Sequence, residues 1–252
     1  MNKRALVTGG SAGLGAALVA ELLAEGLEVI SIDRDQPAGE TPGLHHLQAD
    51  LSNISALREL LAALVDGDPF EVVVLNAGIS AVGAFEEIDP KQLDKVLAVN
   101  LLAPMELTRL LVTKQMVAKG GSLIFVGSLS NRLGYPGAAV YAATKQGLES
   151  FAASLRKTGA YRVLLVLPGP LDTEHARRYA PLGSKGRKRQ SPSVLARRVV
   201  SRRHRPGTVY GTVAQALVGL LGIAAPSLMT SLMRRGLFTK LRAAPSITDE
   251  RT

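Results

Sequence analysis

The sequence predicts an α/β protein: one doubly wound parallel sheet (Rossmann-type) with helices on both faces and a helical lid at the C-terminal end. Three observations predict this. Strand-like and helix-like segments alternate from Arg4 to Pro170. The strand-like segments are nearly continuous in apolar residues, as strands covered on both faces are. Glycines or polar residues follow the strands, where open α/β sheets place their ligands. A chain of 252 residues, 46% hydrophobic, is long and apolar enough to form one such domain.

The elements follow in order. "RALVTGG" is a buried strand ending in glycines, and "LGAALVAELLAEG" is a helix stopped by Gly26. "LEVISID" and "HHLQADL" are the second and third strands, the third weaker, with His45 and His46 at a partly exposed edge. "ISALRELLAALV" is a helix capped by Ser52 or Asn53. "EVVVLNAG" is the fourth strand, and a long helical region runs from Pro90 to Lys119. "GSLIFVGS" is a strand, "GAAVYAATKQGLESFAASLRK" a helix and "YRVLLVLPGP" a strand. Crossovers between parallel strands are right-handed. Residues 171–205 read as a loop and substrate lid containing the basic helix "PSVLARRVVSRR". "TVYG" reads as a last short strand, and 211–242 as apolar and basic helices, broken near Pro226.

There is no cysteine, which excludes disulfides and thiolate metal sites. No charged leader with an apolar core precedes the first strand, so a cytoplasmic location is expected. His175 and His204 lie far apart with no acid between them, and no metal site is expected. The net charge of +9 is regional: residues 175–248 carry 15 Lys or Arg and no Asp or Glu. The remainder has 15 basic and 21 acidic residues.

"TGGSAGLG" puts Gly9, Gly13 and Gly15 between the first strand and the first helix. Glycines let a backbone turn tightly and approach a ligand, and a helix N-terminus offers free N–H groups to a pyrophosphate. Asp33 closes the second strand, where a carboxylate can accept both ribose hydroxyl hydrogens of an adenosine. It would repel a 2′-phosphate, and Ser11 and Ala12 add no positive charge, which favours NAD. Arg34 could bind that phosphate, so NADP stays open.

Asp50, Asn76, Ser128 and the Pro168-Gly169 pair also fall at strand ends, and Asn100 lies in the long helix. Tyr141 and Lys145 share one face of the helix after Ser128. A phenol with its ordinary pKa of about 10 is a poor acid–base catalyst at neutral pH. A nearby ammonium would lower that value, and a serine hydroxyl could hold the same substrate oxygen. Taken alone, the pair also suits an ordinary amphipathic helix. Tyr135 is the internal control, with Ala139 rather than lysine four residues on.

Assembled, these residues resemble the short-chain dehydrogenase/reductase family, single-domain branch, over roughly residues 3 to 173. The motifs in order are "TGGSAGLG" (with Leu14), "LNAG" (Asn76, Ala77, Gly78), Asn100 in "VLAVNLLAP", Ser128 in "IFVGSLS", "YAATK" and "PGPLDT". Leu75 departs from the family pattern, standing where the family has a first asparagine. The resemblance implies an NAD(P)-dependent alcohol–carbonyl oxidoreductase with Tyr141 as general acid/base. It implies that Lys145 lowers the tyrosine pKa and binds the nicotinamide ribose, that Ser128 polarises the substrate oxygen, and that Asn100 holds a relaying water. It places Pro168, Gly169 and Thr173 beside the nicotinamide, with Asp50 and Leu51 near the adenine. It suggests a homodimer or homotetramer built through helices around 90–118 and 138–157, and a lipophilic substrate.

The basic and apolar region after Leu171 admits three readings: a solvated lid and dimer surface, a face docking on an anionic membrane, or an electrostatic trap for an acidic carrier or CoA thioester. Too few aromatic residues accompany the cations for nucleic-acid binding. The alternative function is a non-catalytic NAD(P)-binding sensor or scaffold docking through this region.

Overall fold

The computed structural model describes residues 3–62, 67–133, 137–178 and 189–233. Tyr135, most of the "KGRKR" cluster and the cations after Met233 lie outside the described residues. Seven strands form one parallel sheet: β1 (Arg4–Thr8), β2 (Glu28–Asp33), β3 (Leu44–Gln48), β4 (Phe70–Leu75), β5 (Val117–Val126), β6 (Arg162–Leu167) and β7 (Gly207–Tyr210). Their order is β3-β2-β1-β4-β5-β6-β7. The chain reverses its direction of travel across the sheet between β1 and β4, and that crevice is the ligand position of such sheets.

Alternation along each strand builds two cores. Ala5 and Val7 of β1 face α1 (Gly13–Ala24) and α8 (Pro192–Arg202). Leu6 faces the other layer, where α2 (Ile54–Ala62), α4 (Ala103–Thr113) and α6 (Ala139–Lys157) pack. Leu75 sits fully inside that second core, so the residue that departs from the family pattern serves packing. Asn53 caps α2, accepting from the Ala56 N–H at 3.0 Å.

Two boundaries differ from the sequence reading. The helical region starting at Pro90 stops at Thr113, not Lys119. Gln115 takes a left-handed φ of 56°, its N–H closes on Val112, and Met116 bonds back to Leu111. The chain then enters β5 four residues before "GSLIFV", pairing Val117 with Phe70. The span 171–205 is also not all lid. Leu195, Ala196, Val199 and Val200 of α8 are buried in the same core as Leu14, Leu18 and Leu22 of α1. Arg197 and Arg203 pair with Glu21 and Glu25 on α1. Part of the regional basicity is therefore consumed in helix docking.

The helix from Pro90 is interrupted. α3 (Pro90–Leu97) passes into a π-turn at Ala98–Leu102, with the Ala103 N–H reaching five residues back to Ala98. Pro104 explains the turn: it has no N–H, and its ring crowds the carbonyl four residues back, that of Asn100. Past β7, α9 (Val213–Ala224) and α10 (Pro226–Met233) are separate helices divided at Ala225–Pro226.

Candidate active site

The glycine loop is shaped by close approaches. Gly9 and Gly13 have φ of +68° and +56°. A Cβ on Gly15 would lie 1.8 Å from the Gly9 carbonyl oxygen. Asn76 fixes the turn from below, its amide donating to the Thr8 and Gly9 carbonyls at 3.0 Å each. Thr8 Oγ1 in turn accepts from the Asn76 and Ala77 N–H groups. Asn76, read from sequence as a cofactor ligand, thus spends its amide on positioning the loop. Ala12 gives α1 no side-chain cap, leaving its first N–H groups for an anion.

Asp33 is held at the crevice rim: its carboxylate accepts from the Ser11 N–H at 2.9 Å and the Asp35 N–H at 3.2 Å. Each oxygen keeps a lone pair for a ribose hydroxyl. Arg34 lies 3.5 Å from Asp35 and is half exposed. Asp50 accepts from the Ser52 N–H and hydroxyl. Burial raises its pKa, but those bonds, with Lys95 and Arg34, lower it on balance. The Ala49 N–H bonds to the Asp33 carbonyl, which sets Asp50 beside Asp33, while Leu51 is buried in the core. These features fit a dinucleotide: backbone donors for a pyrophosphate, a fixed carboxylate for a ribose, and a cradle that admits no Cβ.

The second half of the site gathers around α6. Lys145 is 3% exposed, and its ammonium donates to the Val126 carbonyl at 3.0 Å and lies 5.8 Å from the Tyr141 ring centroid. A Cβ on Gly78 would lie 3.0 Å from that ammonium and 3.4 Å from Asn100 Oδ1. Asn100 is fully buried and doubly tied to Ile79: Oδ1 accepts from its N–H at 2.8 Å and Nδ2 donates to its carbonyl at 2.9 Å. Nδ2 also donates to Thr144 Oγ1. Thr144, which donates to the Tyr141 carbonyl, was not singled out in the sequence, although it neighbours Lys145. Ser128 Oγ accepts from the Ser130 N–H and hydroxyl and hydrogen-bonds Tyr141.

One expectation is corrected. The Tyr141 pKa is raised, not lowered: burial of the phenol dominates, and the Ser128 hydrogen bond pulls the other way. Burial also lowers the Lys145 pKa, to about 8, so its ammonium stays charged at neutral pH but is costly to bury.

This sets a pH dependence. Below pH 8 Lys145 is charged in both folded and unfolded chains, and the fold carries the full cost of burying it. Between about 8 and 10.5 the unfolded chain binds more protons, so stability rises with pH. The stability difference between wild type and Lys145→Met should shift in favour of wild type by on the order of 3 kcal/mol across this window. Urea unfolding of the cofactor-free proteins at several pH values checks it; parallel pH curves would refute the burial cost.

The remaining residues close the cleft. A Cβ on Gly13 would lie 3.2 Å from Thr173, which also accepts from the Ala176 N–H. The Leu129 N–H bonds the Pro168 carbonyl, joining the serine segment to the Pro-Gly turn. Gln215 of α9 accepts from the Gly169 N–H at 3.2 Å, a tie with no sequence signal because it crosses 46 residues.

A family model described as short chain dehydrogenase matches residues 3–181. The chain belongs to the short-chain dehydrogenase family. As a member it is a nicotinamide-dependent oxidoreductase. This short-chain dehydrogenase is 33% identical over 177 residues to acetoacetyl-CoA reductase of Synechocystis, covering 69% of this chain and 73% of that one. In fold it is similar to a short-chain dehydrogenase from Burkholderia cenocepacia in complex with NADP, with TM-score 0.77 and 22% identity over 92% of this chain and 97% of that one. It is also similar to 3-ketoacyl-(acyl-carrier-protein) reductase from Brucella melitensis complexed with NADH, with TM-score 0.70, 23% identity and coverage of 83% and 97%.

Proposed function

We propose that this dehydrogenase interconverts an alcohol and a carbonyl on a lipophilic substrate, with Tyr141 exchanging the proton at the substrate oxygen. The observation that carries the reading is the convergence of the part-exposed Ser128 and Tyr141 with the buried Lys145 and Asn100 in one cluster. When bound, the nicotinamide supplies or accepts hydride. Ser128 holds the substrate oxygen by hydrogen bond. Tyr141 gives that oxygen its proton during reduction and takes it back during oxidation. A phenol held neutral by burial suits the donating direction. Lys145 would hold the nicotinamide ribose, and its ammonium, charged at neutral pH, would lower the tyrosine pKa from there. Asn100 fixes the strand end at Ile79 and presents Oδ1 toward Gly78 and Lys145, where a water can relay protons.

NAD is the cofactor we favour over NADP. The fixed Asp33 carboxylate would accept a ribose hydroxyl and repel a 2′-phosphate, and Arg34 faces Asp35. Replacing Asp33 by alanine should reduce the NADH-over-NADPH preference in kcat/KM by ~10-fold or more. Steady-state kinetics with both cofactors checks it, and an unchanged ratio overturns the assignment.

A relative named for acetoacetyl-CoA acts on a β-keto thioester, and we include β-keto thioesters among the substrates. Turnover of NADH by purified protein against a panel of ketones and β-keto thioesters tests the reading. Tight NADH binding with no turnover on the panel would favour the sensor instead. We further propose a homodimer or homotetramer built through α4 and α6, supported by exposed Leu102 and Met105. Light scattering tests it. A cytoplasmic location with peripheral contact to an anionic surface completes the proposal.

A further inference from the structure

α9 is turned inside out relative to an ordinary surface helix. Such helices bury a stripe of large apolar residues and show polar ones to water. Here the buried residues are Gly219 and Gly222. A Cβ on Gly222 would lie 2.1 Å from the Arg132 carbonyl oxygen, and one on Gly219 would lie 3.0 Å from the Tyr210 ring and 3.1 Å from Leu129. With 100° per residue, the opposite side carries Val213, Leu217, Leu220 and Leu221, with Ile223 on its flank. These and Leu228 of α10 are each between 55% and 75% exposed. A continuous outward face of this kind on a soluble protein marks an interaction site.

Charge identifies the occupant. Residues 175–248 hold 15 Lys or Arg and no Asp or Glu; α9 and α10 are themselves uncharged and are bracketed in sequence by Arg205 and by Arg234 and Arg235. The carboxylates that pair with Arg177, Arg197 and Arg203 come from Asp172 and α1, and none lies on α9 or α10. An anionic lipid surface complements both features, taking the leucines into the headgroup–acyl boundary and the cations at the phosphates. Neither helix spans a bilayer: α9 has 12 residues and α10 has 8, against about 20 needed.

We propose that the outward face of α9–α10 docks this dehydrogenase on an anionic membrane surface. The inner face of α9 rests on Leu129 and Arg132 and holds Gly169 through Gln215. Docking therefore sets the bilayer against the outer wall of the catalytic cleft and shortens the path of a lipid-dissolved substrate. The proposal does not depend on which carbonyl is reduced.

The test uses the full chain in flotation with phosphatidylcholine vesicles, with and without phosphatidylglycerol. Wild type should float with the anionic vesicles, at least ~10-fold less with the neutral ones, and less as salt shortens the Debye length toward about 3 Å. A Leu217→Ser/Leu220→Ser variant should lose flotation ~10-fold while keeping its Tm and its turnover of a water-soluble ketone. The chain has no tryptophan, so Leu220→Trp adds a single reporter whose emission should shift to the blue on adding anionic vesicles. Failure of wild type to float, flotation of the double variant equal to wild type, or unchanged Trp emission each overturns the proposal. A lower lipid-free oligomer mass for the double variant overturns it in favour of a second copy on this face.

Discussion

Tyr141→Phe is expected to lower kcat by ~10²–10⁴-fold while the affinity for NADH stays within a few-fold of wild type. The substitution removes one oxygen and keeps the ring. The ring position beside Lys145, the α6 packing and the Thr144 bond to the residue 141 carbonyl all survive. Only the proton carrier and its hydrogen bond to Ser128 are lost. Ser128 still has Ser130 as a partner, so the stability cost should not exceed about 1 kcal/mol. Single-turnover kinetics with cofactor titration separates the effects. A variant that binds NADH and retains wild-type turnover would remove Tyr141 from the chemistry.

Gly15→Ala should damage binding and fold together. The new methyl would sit 1.8 Å from the Gly9 carbonyl oxygen and 2.7 Å from Asn76 Nδ2. Neither can yield cheaply, since the Gly9 N–H is bonded to Ile32 and the Asn76 amide spans Thr8 and Gly9. A destabilisation of about 3 kcal/mol follows, with a Tm lower by roughly 6–12 °C. NADH affinity should fall ~10²-fold, because the loop must open where the pyrophosphate approaches. Gly39→Ala is the control: its added methyl meets nothing within 4 Å, and both quantities should stay unchanged. Calorimetry and NADH fluorescence titration decide; a Gly15→Ala protein with wild-type affinity would show that the loop is not the cofactor cradle.

The sequence made the sheet legible because buried parallel strands are continuous apolar runs, and β1, β2, β4 and β6 stand close to where those runs lie. It made the Tyr141–Lys145 pair legible because four residues is one helical turn. What escaped it depends on the third dimension. The end of α4 rests on one left-handed residue, Gln115, which carries no glycine signal. The raised tyrosine pKa reflects burial, which spacing does not encode. The work of Asn76 and Thr144 emerges only when β4 meets the glycine loop and the π-turn meets α6. The basic tract read as one surface, yet Arg197 and Arg203 are spent on α1.

The π-turn at Ala98–Leu102 has a consequence for how this chain can change in length. One surplus residue there lets Asn100 reach Ile79 while Ala103, Leu107 and Leu111 still face the core. Deleting one residue of 98–102 would restore an even spiral with the flanking helices still in register, but it would remove the widened turn that carries Asn100 to Ile79. The buried leucines would keep facing the core, and the asparagine would lose its double tie to Ile79. A deletion scan should find this short stretch intolerant of losing a residue where it accepts exchange of one side chain for another.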